Sequence, residues 1–280
     1  MEPVDKLKNV LVRRELERHV PPPRSVLYLD MLGFSALTED HPDEEFFDFN
    51  EDDAIVASGT TESARQLNRF QHVLNSVQWD PLAPVTPSHL MAFSDCAFLV
   101  YDNPLVAAMS AVTLMRAFLT MEVPVRMGMA LGTWHVQRFS FDTVRSLTIT
   151  RAVFYGTGVV RATLAEMRGG KGCRIFLDNR LDRAAIDLIR TNVEVLDTPE
   201  ATSISTASPK SKAVANQELN YLFPNPGLDE LANDKDQPLL QGVLKMRQKL
   251  QTPVDPDIDV QYTSTLAAIK RMRTQLGRST

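Results

Sequence analysis

Apolar residues recur along this chain at two spacings, and each spacing predicts a different kind of element. Val4, Leu7, Val10 and Leu11 recur at helical intervals, so the chain opens on a helix that Pro21, Pro22 and Pro23 stop. Ser25 to Leu32 is a short apolar run bounded by prolines and Gly33, the pattern of a buried strand. Ala64, Leu67, Phe70, Val73, Leu74 and Val77 form a stripe on one face of an amphipathic helix. Two strands follow, Ser88 to Phe93 and Cys96 to Tyr101, joined by a tight turn at Ser94-Asp95. Asn103-Pro104 starts an apolar helix. Val125, Met127, Met129 and Leu131 alternate with Arg126, Gly128 and Ala130, which predicts a strand within Pro124 to Val136. Residues near Phe139 to Thr150 complete a hairpin. Gly158 to Arg168 reads as a helix closed by Gly169-Gly170, and Arg174 to Leu177 as another strand.

The order β-α-β-β-α-β-(β)-α-β predicts an α+β fold, with helices packed on an antiparallel-rich sheet. Residues 1–23 form an N-terminal helical segment and residues 24–225 the main domain. That domain carries an acidic insertion at 39–56 and a Ser-, Thr-, Ala- and Pro-rich flexible loop at 198–215. Leu219 to Phe223 returns to the sheet. Residues 226–280 are a helical extension, with breaks at Pro238 and at Pro253 to Pro256.

Composition narrows the class. A chain of 280 residues at 44% hydrophobic content buries a sizeable core, and its 2 Cys are too few for a disulfide framework. A net charge of −5 argues against a general nucleic-acid binder. Glu39 to Asp53 holds nine acids and no Lys or Arg, so the remainder nets +4; such a block reads as a solvated loop. Met1 to Val20 is charged throughout, unlike a signal peptide. The most apolar window, Pro104 to Met121, carries Arg116 and reads as a core helix. The expectation is a cytoplasmic protein with no membrane partner.

Two acids stand out. Asp30 sits in the apolar run Leu27-Tyr28-Leu29-Asp30-Met31-Leu32, where an unpaired carboxylate carries a desolvation cost or a raised pKa. Asp95 sits at the turn after Phe93-Ser94. If the two strands are neighbours, both carboxylates project at one sheet edge and repel unless a cation lies between them. Mg²⁺ suits such a pair, because it is held by one or two carboxylates and completes its octahedron with phosphates and water. The alternative is one buried salt bridge and one turn-capping Asp.

Leu27 to Ser35, a hydrophobic run followed by Asp, two hydrophobics, Gly, Phe and Ser, resembles the metal-binding strand of class III nucleotidyl cyclases. Phe93 to Leu99 resembles that family's hairpin with the second metal Asp. Val125-Arg126-Met127-Gly128-Met129 with Gly132 resembles its Arg-hydrophobic-Gly-hydrophobic strand, and Phe154-Tyr155-Gly156 through Arg161-Ala162 to Glu166 its Gly-led helix. The four motifs occur in the family's order. The resemblance implies a ferredoxin-like cyclase homology domain in which Asp30, Asp95 and the Met31 carbonyl bind two Mg²⁺ or Mn²⁺ ions. It also implies attack of the ribose 3′-hydroxyl on the α-phosphorus of a nucleoside triphosphate. Arg126 falls where family members contact the triphosphate, and amides from Leu32 through Gly33, Phe34 and Ser35 would cradle phosphate oxygens. Sites form between two chains, so a homodimer is implied, with Asp30 and Asp95 from one protomer and Val153 and Arg161 from the other.

Purine cyclases of the family read the base with a Lys and an Asp at the positions of Met91 and Val153, and neither residue here makes those polar contacts. The Ser-Asp turn and the Tyr-Gly…Arg-Ala pattern resemble the pyrimidine cyclases of bacterial Pycsar anti-phage systems. That branch implies UTP or CTP as substrate, with UTP favoured, and cyclic UMP or cyclic CMP as a second messenger. Val160 and Leu164 occupy the places of the family's Asn and Arg that steady the transition state. Arg161, with Arg168 and Arg151 nearby, is the candidate for the missing charge.

Overall fold

The computed structural model describes residues 22–40, 48–49, 55–56, 62–78, 86–142, 148–198, 217–222, 236–248 and 256–276. The expected N-terminal helix and almost all of the 198–215 loop lie outside them. At the centre is β1 (Arg24–Met31), whose Val26, Leu27, Leu29 and Met31 bury both faces of the strand. A short helix α1 (Phe34–Asp40) follows it. The acidic insertion contributes a ribbon of two two-residue strands, β2 (Asp48–Phe49) and β3 (Ile55–Val56). Then come α2 (Glu62–Gln78), β4 (His89–Phe93), β5 (Cys96–Tyr101), α3 (Pro104–Thr120) and β6 (Val125–Gly132). Asn103 caps α3 by accepting the Leu105 amide at 2.8 Å, as its Asn-Pro start predicts.

β7 (His135–Asp142) and β8 (Thr148–Tyr155) form a hairpin of their own. The chain continues through α4 (Thr157–Gly169), β9 (Ile175–Leu177), α5 (Arg183–Arg190), β10 (Val195–Asp197), β11 (Gln217–Leu219), α6 (Asp236–Gln248) and α7 (Pro256–Gln275).

The main sheet has seven strands in the order β10-β11-β9-β6-β1-β5-β4, antiparallel except between β6 and β9. Within it β1, β4, β5 and β6, with α2 and α3 between them, form a β-α-β-β-α-β unit in the order β6-β1-β5-β4. That is the ferredoxin-like arrangement, and the α+β expectation holds. One face of the sheet, with Leu27, Leu29, Leu99, Met127 and Met129, joins Phe70, Leu114 and Phe118 in a single core. Leu239, Val243, Ile269 and Met272 belong to the same core, so α6 and α7 pack on their own domain. The opposite face carries a smaller cluster of Val26, Phe98, Val100, Ala130, Trp134 and Ala162.

α4 lies on β6 backbone to backbone. A Cβ on Gly128 would fall 2.1 Å from the Ala162 carbonyl oxygen. The glycine of the Arg-hydrophobic-Gly motif is thus a packing requirement, which lets the helix approach the strand.

Some elements differ from the sequence pattern. No element is expected at α5 or β10, although Leu181, Ala185, Ile189 and Val193 recur at helical spacing and Asp182 caps the helix by accepting the Ala185 amide at 2.7 Å; three residues of β10 are too few to display alternation. Pro238 falls in the first turn of α6 and does not break it, because its missing N–H has no intrahelical partner to lose there. The return to the sheet comes at Gln217–Leu219, slightly before Leu219 to Phe223. Among the described residues no helix is long and apolar enough to cross a membrane.

Candidate functional site

The register of the central strands assembles the site. Asp30 lies opposite Cys96 on β5 and opposite Arg126 on β6. One residue on, the Met31 amide donates to the Asp95 carbonyl at 2.9 Å, which draws the Ser94-Asp95 turn to the end of β1. Ser94 adopts φ 39°, the left-handed conformation that the tight turn needs. Asp30, Met31 and Asp95 therefore meet at one sheet edge.

Both carboxylates are half-buried. The Tyr28 hydroxyl donates to Asp30 Oδ1 at 3.3 Å. Burial raises the Asp30 pKa, the Asp95 charge raises it further, and the Tyr28 hydrogen bond and Arg126 oppose them. The Cys96 thiol, beside Tyr28, is raised chiefly by burial. The edge is thus short of positive charge, and a cation between the carboxylates relieves the strain.

The donors fit a hard divalent cation. They are two carboxylates and a backbone carbonyl, all oxygen. No group of three or more His, Cys, Asp or Glu residues comes together among the described residues. Further ligands to an ion at this edge would be water or a bound molecule.

Past Met31 the chain turns at Gly33, with φ +76° and open space around its α-carbon. The Leu32 amide is already bonded to the Pro124 carbonyl at 2.8 Å, so of the amides expected from Leu32 to Ser35 that of Leu32 is taken by the sheet. Gly33 and Ser35 are exposed and Phe34 is half-buried. The first helical bond of α1 runs from the Leu37 amide to the Gly33 carbonyl at 3.0 Å.

Arg126 has partners of its own. Its Nε donates to Glu166 Oε1 at 2.5 Å and its Nη1 to the Gly170 carbonyl at 3.2 Å. Glu166 is 2% exposed; burial raises its pKa and the Arg126 guanidinium pulls it back. A direct reach from Arg126 to a triphosphate requires those bonds to break.

The other expected residues lie elsewhere. Arg161 donates to the Leu131 carbonyl at 2.9 Å. Leu131 is opposite Ser25, five residues along β1 from Asp30 and so roughly 17 Å away along the strand. Met91 is half-buried on β4, opposite Phe98. Val153 is 49% exposed on β8 and Val160 58% exposed on α4.

Tyr28 and Glu166 lie within the quoted motifs, but the sequence pattern assigns neither of them a role at the site. Tyr28 had a signal, since residues two apart on a strand share a face and Asp30 is two residues on. Glu166 closes the Gly-led helix motif, but only the packing of α4 on Gly128 brings it to Arg126.

No family model and no curated protein matches the chain. Among solved structures the chain is similar to adenylate cyclases from Trypanosoma brucei in their monomeric state, at 13% identity and TM-score 0.46, over 72% of this chain and 89% of that one. It is similar to a guanylyl cyclase at 15% identity and TM-score 0.46, over 75% and 95% of the two chains. It is also similar to a guanylate cyclase domain from Catenaria anguillulae in complex with GTP, at 12% identity and TM-score 0.46, over 71% and 95%.

Proposed function

We propose that the chain is a metal-dependent nucleotide cyclase acting on a pyrimidine triphosphate, UTP in preference to CTP. Its product would be the 3′,5′-cyclic monophosphate, a second messenger of anti-phage defence made in the cytoplasm. The observation that supports the reading best is the convergence of Asp30 and Asp95 at one sheet edge, beside the exposed Gly33 turn. Convergent carboxylates next to free backbone amides suit a metal-bound triphosphate.

In this reading Asp30, Asp95 and the Met31 carbonyl hold two Mg²⁺ or Mn²⁺ ions, which supply Lewis-acid activation of the 3′-hydroxyl and neutralisation of the triphosphate. The amides of Gly33, Phe34 and Ser35 orient phosphate oxygens. The 3′-hydroxyl would give its proton to solvent water as its oxygen bonds to the α-phosphorus, the bond from that phosphorus to the bridging oxygen would break, and pyrophosphate would leave with that electron pair. Tyr28 keeps Asp30 oriented at the strand end.

Arg161 is too far along the strand to serve the carboxylates of its own chain, so it acts in a homodimer, across the interface. The exposed apolar surface of Val153 and Val160 suits such an interface. Met91 and Val153 border the base without the polar contacts that select a purine.

The test is incubation of the purified chain with each of the four ribonucleoside triphosphates and Mn²⁺, with products resolved by mass spectrometry. Cyclic UMP or cyclic CMP, absent from Asp30→Ala and Asp95→Ala, is the expected result. Cyclic AMP or cyclic GMP as the main product overturns the pyrimidine assignment. One observation favours a second reading, a nucleotide-binding module without turnover: Val160 offers no hydrogen bond where the resemblance expects an Asn. Nucleotide binding without pyrophosphate release is its signature.

A further inference from the structure

α7 does more than cover the sheet. Gln261 Oε1 accepts the Gly172 amide at 2.8 Å, and Thr265 Oγ1 accepts the Cys173 amide at 2.8 Å. Thr265 is fully buried, and its hydroxyl donates to the Gln261 carbonyl at 2.7 Å. Gly172 has φ +89°, and a Cβ there would lie 2.7 Å from the Thr265 amide nitrogen. Segment and helix are therefore in backbone contact, and α7 sets the path of Gly170 to Arg174.

The other side of that segment faces β6. The Arg174 carbonyl accepts the Met127 amide at 2.9 Å, and the Gly170 carbonyl accepts Arg126 Nη1 at 3.2 Å. With Glu166 it provides the two acceptors that hold the Arg126 guanidinium. Yet Arg126 is the residue directly opposite Asp30 across the β1–β6 pair. An arginine beside a half-buried carboxylate is its natural counterion, and once paired there it competes with a divalent cation.

We infer that Gln261 and Thr265 are positioning residues for the carboxylate site. By fixing the Gly170 to Cys173 segment they keep the Arg126 guanidinium bonded to Glu166 and Gly170 and out of a direct pair with its cross-strand neighbour Asp30, and so leave the Asp30–Asp95 pair open to a divalent cation. The inference rests on the proposed reading only in taking that pair as the cation site.

The test uses the full chain and Mn²⁺ binding measured by titration calorimetry, with thermal melting to establish that each variant is folded. Gln261→Leu removes the acceptor and is expected to weaken Mn²⁺ binding about fivefold, a typical coupling between linked side chains. Gln261→Glu keeps an acceptor oxygen and restores binding. Thr265→Val and Thr265→Ser repeat the contrast should the first pair fold poorly. In an Arg126→Gln background Gln261→Leu is expected to have no further effect. Hydrogen exchange at the Gly172 amide is expected to accelerate in Gln261→Leu.

Unchanged Mn²⁺ affinity in folded Gln261→Leu and Thr265→Val, or an equal loss in the Arg126→Gln background, overturns the inference. Turnover measured in parallel separates it from the proposed function. Coupled Mn²⁺ binding with no turnover of any triphosphate removes the cyclase and leaves the positioning role. Turnover with independent effects of the two substitutions does the reverse, and a chain that binds no Mn²⁺ loses both.

Discussion

The Met31 amide donates to the Asp95 carbonyl at 2.9 Å, and this one backbone bond joins two acids that are 65 positions apart in the chain. It extends the β1–β5 ladder by a step beyond Asp30 opposite Cys96. The turn that carries Asp95 therefore cannot leave the end of β1 without breaking sheet pairing. Close carboxylates are a built feature of the fold, and their electrostatic cost has measurable consequences.

Asp30→Asn is expected to stabilise the metal-free protein. Burial and the Asp95 charge both raise the Asp30 pKa, so its negative charge costs more in the fold than in the unfolded chain, and an amide keeps an oxygen for the Tyr28 hydroxyl. Relief of about 1 kcal/mol corresponds to a rise of roughly 2–4 °C in melting temperature for a chain of this size. Differential scanning fluorimetry without metal checks it; the stabilisation that Mn²⁺ gives the parent is expected to be lost in the variant. A lower melting temperature in the variant counts against the repulsion.

Gly128→Ala is expected to destabilise far more than Gly33→Ala. At Gly128 the new methyl would lie 2.1 Å from the Ala162 carbonyl oxygen and 2.5 Å from the Glu166 amide nitrogen, so α4 must lift from β6. The cost is about 3 kcal/mol or more, as for overpacking of a close interface. At Gly33 nothing lies within 4 Å, and only the left-handed backbone is strained, at about 1–2 kcal/mol. Urea denaturation of both variants gives the ranking, and equal losses contradict the packing role.

Glu218→Ala is expected to destabilise by about 3–5 kcal/mol, the range for breaking a buried ion pair. Glu218 is 0% exposed on β11; Arg174 reaches it at 2.5 Å and Arg271 of α7 reaches its other oxygen. Removing the carboxylate leaves two guanidinium groups without their shared anion and loosens α7. Limited proteolysis within α7 is the second readout, and a protected α7 in the variant runs against the expectation.

The buried Cys173 thiol makes stability fall in alkali. Burial pushes its pKa from 9.0 up to about 11. The folded state keeps a proton that the unfolded chain releases in that interval, so the contribution is complete below pH 9 and lost as pH rises to about 11. A shift of this size corresponds to at most about 2–3 kcal/mol. Urea melts of the parent and of Cys173→Ala from pH 8 to pH 11 are expected to converge with rising pH; parallel curves refute it. The same burial predicts that thiol reagents reach Cys173 only on unfolding, while the half-buried Cys96 reacts in the folded chain.

Much of this architecture is legible in the chain because its signals are local. Period-two alternation over Val125 to Leu131, the Asn103-Pro104 start of α3 and the stripe from Ala64 to Val77 each state an element within a few residues. β10 escapes for the converse reason, since three residues are too few to display a period, whereas α5 does carry a signal, in Asp182 and in Leu181, Ala185 and Ile189 at helical spacing, that the expected elements leave out.

The amino-acid sequence alone determined that an acid must sit in a buried strand, because Asp30 interrupts an apolar run whose burial β1 requires. It also determined that a second acid must sit at a tight turn, since Ser94-Asp95 separates two runs of strand-forming residues. Which groups those acids and their neighbours meet was decided only by the tertiary structure. Arg126 belongs to Glu166 because α4 packs against Gly128, and to Gly170 because α7 holds that segment in place. A side chain's own type sets what it can bind, but long-range packing sets which partner is within reach.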